Sequence, residues 1–362
     1  MQPSNHSRRQ FLRRSALLSA GAALLGTAGA ETSLAAPVDP TPLDDPTNRQ
    51  GEYVDVNGAH IFYQVAGQGT PLLLIHGYPL SGALFSRVRD ALAAHYRVIT
   101  IDLRGYGKST APGVPDTIAI YAQDALAVLD SLGIQRAIVG GMSMGGPIAL
   151  EMYQRAPNRF QGLILIDTNA FAATPAEAGE ERGFADMSRQ GGAAALVPLL
   201  LPIMLTGDTR AHQPQLVQYL TAVITAATTD AAVGGALALA TRPDYTALLG
   251  QISVPTLIIV GQEDPLYPFE IAQMMQQKIP NSTLTIIPGG AHATIFEVPQ
   301  LAAKAILDWA AGKPVATMPG LPNTGGGGLR TGAGGGLQVL ALAGLGAVMA
   351  GLLAHRFATP RE

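Results

Sequence analysis

The chain has 362 residues, a formal net charge of −3 and no cysteine. The lack of cysteine excludes disulfide scaffolds, thiolate zinc sites, iron–sulfur clusters and a cysteine nucleophile. The two ends carry a surplus of arginine, so the central part is more acidic than the whole chain. Nucleic-acid binding needs a basic surface, and the acidic central part argues against that function.

The first 36 residues have the order of an export signal. Ser-Arg-Arg-Gln-Phe-Leu-Arg at 7–13 precedes an Ala/Leu/Gly-rich run over 15–30, as in a secretory signal. The paired arginines resemble a twin-arginine signal, with Arg13 where that pattern usually has lysine, and the resemblance implies export of the folded protein by the Tat translocase. An amphipathic cytoplasmic arm is the alternative. The Pro- and Asp-rich stretch 37–50 is predicted to be a linker.

From Tyr53 onward, apolar runs alternate with segments of helical spacing, and Asn57-Gly58 is a strong hairpin signal. Strands are predicted at Tyr53–Val56, His60–Val65, Leu72–Ile75, Val98–Ile101, Ala137–Val139, Leu163–Ile166, Thr256–Val260 and Leu284–Ile287. Helices are predicted at Ala83–Ala94, Ile118–Leu132, Pro147–Arg155, Glu270–Ile279 and Pro299–Ala310. Apolar strands separated by helices form a parallel sheet covered on both faces, so the sequence predicts one α/β domain over 51–312.

The alternation breaks once, between Asp167 and Ser253. Roughly 80 residues of Ala- and Leu-rich helical sequence lie there, whereas a connection between a helix and a strand usually takes about 2–6. We therefore predict an inserted helical cap over about 168–252. Its apolar stretches, Ala193–Leu205 and Leu216–Ala227, are predicted to pack on the body; membrane docking is the alternative role for them.

Ser143 is the predicted nucleophile. It lies in Gly141-Met142-Ser143-Met144-Gly145, between the strand predicted at Ala137–Val139 and a helix. In a sharp strand-to-helix turn, flanking glycines let the backbone bend and the serine Oγ stands above the sheet. The helix N-terminus there favours a developing negative charge.

A serine nucleophile needs a base, and the base is itself held by an acid. Of the seven histidines, His292 alone lies in a loop after the last predicted strand, and it is the predicted base. Asp264, just beyond the strand Thr256–Val260, is the favoured acid, with Asp167 and Glu263 as alternatives. The arrangement needs neither a metal nor an organic cofactor.

Backbone amides are predicted to form an oxyanion hole. The segment His76-Gly77-Tyr78-Pro79 follows the third predicted strand. Its Tyr78 amide and the amide of Met144, the residue after the nucleophile, are the predicted donors. His76 is predicted to pack beneath this loop. The polar run 102–109 is predicted to fix a loop by hydrogen bonds rather than to take part in chemistry.

The C-terminal end has the order of a surface-anchoring signal. Leu321-Pro322-Asn323-Thr324-Gly325 lies in a Pro/Gly-rich linker predicted over 313–336, and an apolar run with a basic tail follows over 337–362. This order resembles a sortase signal, which implies cleavage between Thr324 and Gly325 and attachment to the cell wall. A plain transmembrane anchor is the alternative, since the apolar run is just long enough to span a bilayer. Both interpretations place the central domain outside the cytoplasm, with membrane contact only through this anchor.

The central motifs together resemble the α/β-hydrolase superfamily, in the subgroup of small esterases, lactonases, carbon–carbon bond hydrolases and cofactor-free haloperoxidase-like enzymes. From about Glu52 to Gly312 the matching segments, in family order, are His-Gly-Tyr-Pro, Arg-Gly-Tyr-Gly-Lys-Ser, Gly-Met-Ser-Met-Gly-Gly, Gly-Gln-Glu-Asp and Gly-Gly-Ala-His. Epoxide hydrolases and haloalkane dehalogenases share the first signal but use aspartate as nucleophile, and Ser143 argues against both.

This resemblance implies the α/β-hydrolase fold and a serine hydrolase that cleaves a small-molecule ester or lactone through an acyl-enzyme. A carbon–carbon bond hydrolase, or a haloperoxidase-like perhydrolase, with the same triad is the alternative. A non-catalytic surface binding module on this fold is the alternative of another class, because fold alone does not prove function.

Overall fold

A computed structural model describes residues 43–315, apart from Asn57, Pro112 and 114–116. The export signal predicted over 1–36 and the linker and anchor beyond residue 315 lie outside the described residues. The same holds for Thr324 and Gly325, the predicted cleavage site.

An eight-stranded sheet forms the centre of the molecule. Its strands are β1 Glu52–Val56, β2 Ala59–Ala66, β3 Pro71–Ile75, β4 Arg97–Ile101, β5 Ala137–Met142, β6 Phe160–Ile166, β7 Thr256–Gly261 and β8 Ser282–Ile287. They lie in the order β1-β2-β4-β3-β5-β6-β7-β8. The β1–β2 and β2–β4 pairs are antiparallel, and all other pairs are parallel. β5 and β7 are buried along their whole length, as parallel strands covered on both faces must be.

Helices connect and cover these strands. The α-helices are α1 Ser86–Ala93, α2 Ile118–Ser131, α3 Gly145–Arg155, α4 Pro175–Gly191, α5 Val197–Met204, α6 Gly207–His212, α7 Pro214–Thr225, α8 Thr229–Ala240, α9 Thr246–Leu249, α10 Phe269–Lys278, α11 Thr294–Glu297 and α12 Pro299–Ala310. α2 packs against α3, while α12 packs against α1 and α11. The predicted fold class, a mostly parallel α/β sheet covered by helices, is confirmed.

Helices α4 to α9 fill the interval between β6 and β7, where the cap is predicted. α4 begins with a capping box, in which Thr174 Oγ1 accepts from the Glu177 amide and the Glu177 carboxylate accepts from the Thr174 amide. α4 packs mainly against α8. The helix predicted at Ala193–Leu205 is a 3₁₀ turn, Ala193–Leu196, followed by α5.

None of the helices described between residues 43 and 315 is alone long and apolar enough to cross a membrane. Helices α7 and α8 are long and apolar enough only when they are taken together, and the angle between them is 92°.

The described part of the predicted linker packs on the body. Arg49 is buried, and its Nη2 donates to Asp102 Oδ2 at 2.5 Å, just beyond β4. Asp44 Oδ1 accepts from the Tyr219 hydroxyl on α7 at 2.9 Å. Residues 43–50 therefore belong to the folded body, and the linker prediction over 37–50 extends too far toward β1. The Pro- and Asp-rich composition of the segment gives no sign of the buried ion pair between Arg49 and Asp102.

Candidate active site

Ser143 stands in a strained turn between β5 and α3. Its φ is +52°, a left-handed conformation that residues other than glycine seldom adopt. A Cβ on Gly141 would collide with the carbonyl of Gly145, and one on Gly145 would collide with that of Ile75. Glycine is therefore required on both sides of the serine. Thr168 Oγ1 donates to the Ser143 carbonyl at 2.6 Å and so helps to hold the turn.

The structure brings Ser143, His292 and Asp264 together in one hydrogen-bonded row. His292 Nε2 lies 2.9 Å from Ser143 Oγ, and His292 Nδ1 lies 2.9 Å from Asp264 Oδ2. The other carboxylate oxygen, Asp264 Oδ1, accepts from the amides of Leu266 at 2.8 Å and Tyr267 at 3.1 Å. The histidine and aspartate side chains are buried, so their geometry is fixed by these contacts.

The two alternative acids lie elsewhere. Asp167, at the end of β6, accepts from the amides of Gly261 at 2.8 Å and Thr294 at 3.3 Å. Burial and, secondarily, the nearby Asp264 charge raise the pKa of Asp167 well above its usual value. Glu263 is exposed to solvent. Of the three candidates, Asp264 is therefore the carboxylate that reaches the histidine.

The loop that carries His292 is attached to the cap. The His292 amide donates to the Ile203 carbonyl at 3.2 Å, and the Ala293 amide donates to the Met204 carbonyl at 2.9 Å, both at the end of α5. The edge of the Tyr267 ring faces the imidazole, with 5.5 Å between ring centroids. The imidazole of His292 is thus positioned by the cap as well as by the sheet.

Glu297 forms a second link between this loop and the cap. It is buried, and its Oε2 accepts from the Ala291 amide at 2.7 Å. Its Oε1 accepts from the amide of Thr206, after α5, at 2.8 Å and from the hydroxyl of the same residue at 2.7 Å. One carboxylate therefore joins the residue before the histidine to the residue that caps α6.

The two predicted oxyanion donors, Tyr78 and Met144, lie next to the serine. Tyr78 follows β3 and lines the same pocket as Ser143, and its hydroxyl donates to the Ala232 carbonyl on α8 at 2.8 Å. α3 begins at Gly145, two residues earlier than predicted, so its N-terminus lies at the serine. Within the part of the chain that the structure describes, neither the Tyr78 nor the Met144 amide donates to another protein group.

His76 and the 102–109 run form hydrogen bonds that support the loops beside the site. His76 is fully buried, its Nε2 accepts from the Leu103 amide at 2.9 Å, and its Nδ1 donates to the Gly77 carbonyl at 2.8 Å. Burial lowers the pKa of His76 to about 4, so its ring is neutral at pH 7. Asp102 Oδ2 accepts from the Lys108 amide at 2.8 Å.

A small cavity of about 30 Å³ opens at Ser143. Its lining residues are Tyr78, Ser143, Glu181, Phe184, Leu200, Ile203, Met204, Leu239, Leu266, Tyr267 and His292. Several of them come from the cap, so the cap shapes the space above the serine. Among the residues described, no group of three or more His, Asp or Glu side chains is arranged to hold a metal ion.

Sequence reasoning missed Glu181, Tyr267 and Glu297. Glu181 could have been noticed, because it shares the buried face of α4 with Ala178 and Phe184 at helical spacing. Charged side chains usually lie on the face of a helix opposite its apolar face, so a carboxyl group on the apolar face is unusual. Tyr267 lies in the loop after β7 and Glu297 ends the short helix α11, and neither position leaves a periodic signal in the sequence.

Comparison with known proteins places the chain in a family. The profile described as alpha/beta hydrolase fold matches residues 70–299. A thermophilic esterase from Thermogutta terrifontis is 30% identical, with a TM-score of 0.70 and coverage of 73% of this chain and 99% of that one. The enol-lactonase from Burkholderia xenovorans LB400 is 25% identical, with a TM-score of 0.68 and coverage of 72% and 99%. The pimeloyl-[acyl-carrier protein] methyl ester esterase of Yersinia enterocolitica is 26% identical over 255 residues, covering 69% of this chain and 97% of its relative.

The matched region contains Ser143, Asp264 and His292. It also contains the whole interval between β6 and β7 that forms the cap. The chain belongs to the α/β-hydrolase family, and it is a hydrolase.

Proposed function

We propose that the protein is a serine hydrolase that cleaves a small-molecule ester or lactone through an acyl-enzyme. The observation that carries this proposal is the hydrogen-bonded triad Ser143–His292–Asp264. The distance from His292 Nε2 to Ser143 Oγ and the distance from His292 Nδ1 to Asp264 Oδ2 are both 2.9 Å. The esterases and the lactonase among its relatives support the same class of substrate. A binding module on this fold would have no need for such a triad.

In the proposed mechanism, Ser143 Oγ attacks the substrate carbonyl while His292 Nε2 takes the serine proton. Asp264 holds the Nδ1–H of His292 and stabilises the imidazolium that forms. The amides of Tyr78 and Met144 bind the oxyanion of the tetrahedral intermediate, and such donors are each worth about 2.7–4 kcal/mol. His292 then protonates the leaving alcohol. A water activated by His292 hydrolyses the acyl-serine ester and releases the carboxylate product.

Mixing the full-length protein with p-nitrophenyl butanoate in a stopped-flow instrument should give a burst of p-nitrophenol near one equivalent, because the acyl-enzyme accumulates. Ser143→Ala and His292→Ala should each abolish the burst and lower turnover by about 10⁴-fold or more. Ser131→Ala, at the end of α2, is the matched control and should behave as the parent. If the parent neither turns over the ester nor is labelled at Ser143 by a fluorophosphonate, the hydrolase mechanism is wrong and a binding module becomes the better interpretation.

We further propose that the enzyme acts outside the cytoplasm, exported by the Tat translocase, processed by a sortase and tethered by its C-terminal end. This proposal is supported by sequence alone, by the Arg8-Arg9 pair and by Leu-Pro-Asn-Thr-Gly at 321–325. Both motifs lie outside the described residues. A surface location suits a small-molecule ester or lactone that the cell meets in its surroundings.

Mass spectrometry of the protein released by cell-wall digestion should find a chain that lacks the signal and ends at Thr324. Replacing Arg8 and Arg9 by lysine keeps the charge and should leave the protein unprocessed in the cytoplasm, since the Tat pathway reads the arginine pair. Recovery of a membrane-bound chain that retains 325–362 would instead favour the plain anchor. An unprocessed parent chain in the cytoplasm would contradict export.

A further inference from the structure

A single carboxylic acid faces an otherwise largely apolar pocket. Glu181, on α4 of the cap, is 9% exposed and lines the same cavity as Ser143 and His292. Its Oε2 is buried without a hydrogen-bond partner. Among the described residues, its carboxyl group makes no hydrogen bond at all. Leaving such a group buried and unsatisfied is unfavourable, and a group from outside the chain would satisfy it.

Arg242, whose charge acts on Glu181, does not hydrogen-bond to it. Arg242 directs its Nε to the Phe171 carbonyl at 2.9 Å and its Nη1 to the Leu239 carbonyl at 3.1 Å. Its Nη2 faces the carboxylate of Glu177 at 3.4 Å. The three donor groups of Arg242 therefore have partners, and Glu181 receives only the longer-range attraction of the guanidinium.

Burial raises the pKa of Glu181 to about 8, against the opposing charge of Arg242. The charged or titratable groups that face it are Arg242, Glu177, Glu180, Tyr78 and Tyr267. Burial also raises the pKa of the Tyr78 and Tyr267 hydroxyls, so both stay neutral. At pH 7 the pocket thus presents a neutral carboxyl group, with one acceptor oxygen and one O–H donor.

Resting on the proposed ester hydrolysis, we infer that Glu181 determines specificity by binding a hydroxyl group on the acyl chain of the substrate. A hydroxyl both donates and accepts, which matches what a neutral carboxyl group offers. It also needs no charge beside the other lining residues of the cap, which are Leu, Ile, Met and Phe. An ammonium group would require Glu181 to ionise beside Glu177 and Glu180. The acyl chain is the part held here because it stays in the site, bonded to Ser143 from acylation until water releases it, whereas the alcohol leaves in the first step.

The test compares kcat/KM of the full-length protein for p-nitrophenyl 3-hydroxybutanoate and p-nitrophenyl butanoate. The parent should prefer the hydroxylated ester by about tenfold or more. Glu181→Leu should lower that ratio by about 10- to 100-fold, by slowing the hydroxylated ester and leaving the plain ester as fast or faster. Glu181→Gln, a neutral group of the same shape with a donor and an acceptor, should retain the preference. Asp186→Leu, on the exposed side of the same helix, is the matched control and should leave the ratio unchanged.

An unchanged ratio in Glu181→Leu, in protein still labelled at Ser143 by a fluorophosphonate, would overturn the inference. Glu181→Met serves the same purpose if the leucine variant does not fold. Faster enzymatic turnover of p-nitrophenyl 3-aminobutanoate than of the hydroxylated ester would also overturn it. Failure of the proposed function itself would look different, since the parent would then hydrolyse neither ester and would not be labelled.

Discussion

Asp264→Asn should lower kcat for p-nitrophenyl butanoate by about 10⁴-fold while the protein remains folded. Asp264 Oδ1 accepts from two backbone amides, those of Leu266 and Tyr267. In the variant the amide oxygen must stay with those donors, so the NH₂ group faces His292 Nδ1. That arrangement forces the proton of the neutral imidazole onto Nε2, and a protonated Nε2 cannot accept the serine proton. Steady-state kinetics, with thermal unfolding to verify the fold, measure the effect.

Asp167→Asn is the matched control for this loss. Asp167 is as buried as Asp264 and lies close enough for their charges to interact, but its carboxylate oxygens bind the amides of Gly261 and Thr294 instead of the histidine. We expect kcat to change by less than about tenfold, a change within about 1.4 kcal/mol of the barrier. Comparable losses in the two variants would show that Asp264 does not hold the base alone, and would contradict the assignment of the acid.

Glu181→Gln should make the protein more stable than the parent at pH 8 and about equally stable near pH 4.5. In the unfolded chain this carboxyl ionises above about 4.5, whereas in the folded protein burial keeps it protonated up to about pH 8. The folded state therefore binds the extra proton between these values, and the parent loses stability as the pH rises through this window. At about 1.4 kcal/mol per pH unit, the difference should reach roughly 3–5 kcal/mol at pH 8 and then level off.

Urea denaturation of the parent and Glu181→Gln at pH 5, 6, 7 and 8 measures this difference. Glu270→Gln, on the exposed start of α10, should show no such trend. The charges of Glu177, Glu180 and Arg242 are present in both the parent and the Glu181 variant, so their own titration cancels in the comparison. A gap between parent and Glu181→Gln that does not change with pH would show that Glu181 is already ionised in the folded protein.

The positions of the strands and the serine turn follow from local pattern. β5 reads as an apolar run directly before Gly-Met-Ser-Met-Gly, and both the strand and the sharp turn are where that pattern predicts them. The helix after the serine begins at Gly145 rather than at Pro147. Helix propensity disfavours glycine, but close packing of Gly145 against the Ile75 carbonyl decides the backbone there.

The chemical lining of the pocket was not predictable in the same way. The helical spacing of Glu181 with Ala178 and Phe184 marks it as unusual, but the charged residues around it are also typical of a solvated helix face. Only the packing of α4 on α8 shows that the face with Glu181 points inward. Arg49 is a similar case, since its partner Asp102 lies 53 residues away in the sequence. Long-range pairs of this kind carry no signal in spacing or composition.

The links between α5 and the loop that carries His292 have a consequence for how substrate enters. The carbonyls of Ile203 and Met204 accept from the amides of His292 and Ala293, so α5, which covers the pocket, and the imidazole of His292 are expected to move together. A rigid swing of α5 away from the sheet would pull the imidazole from the serine hydroxyl. If substrate enters by such a swing, the open form is inactive until α5 returns. The rate of closure over the bound substrate would then limit turnover.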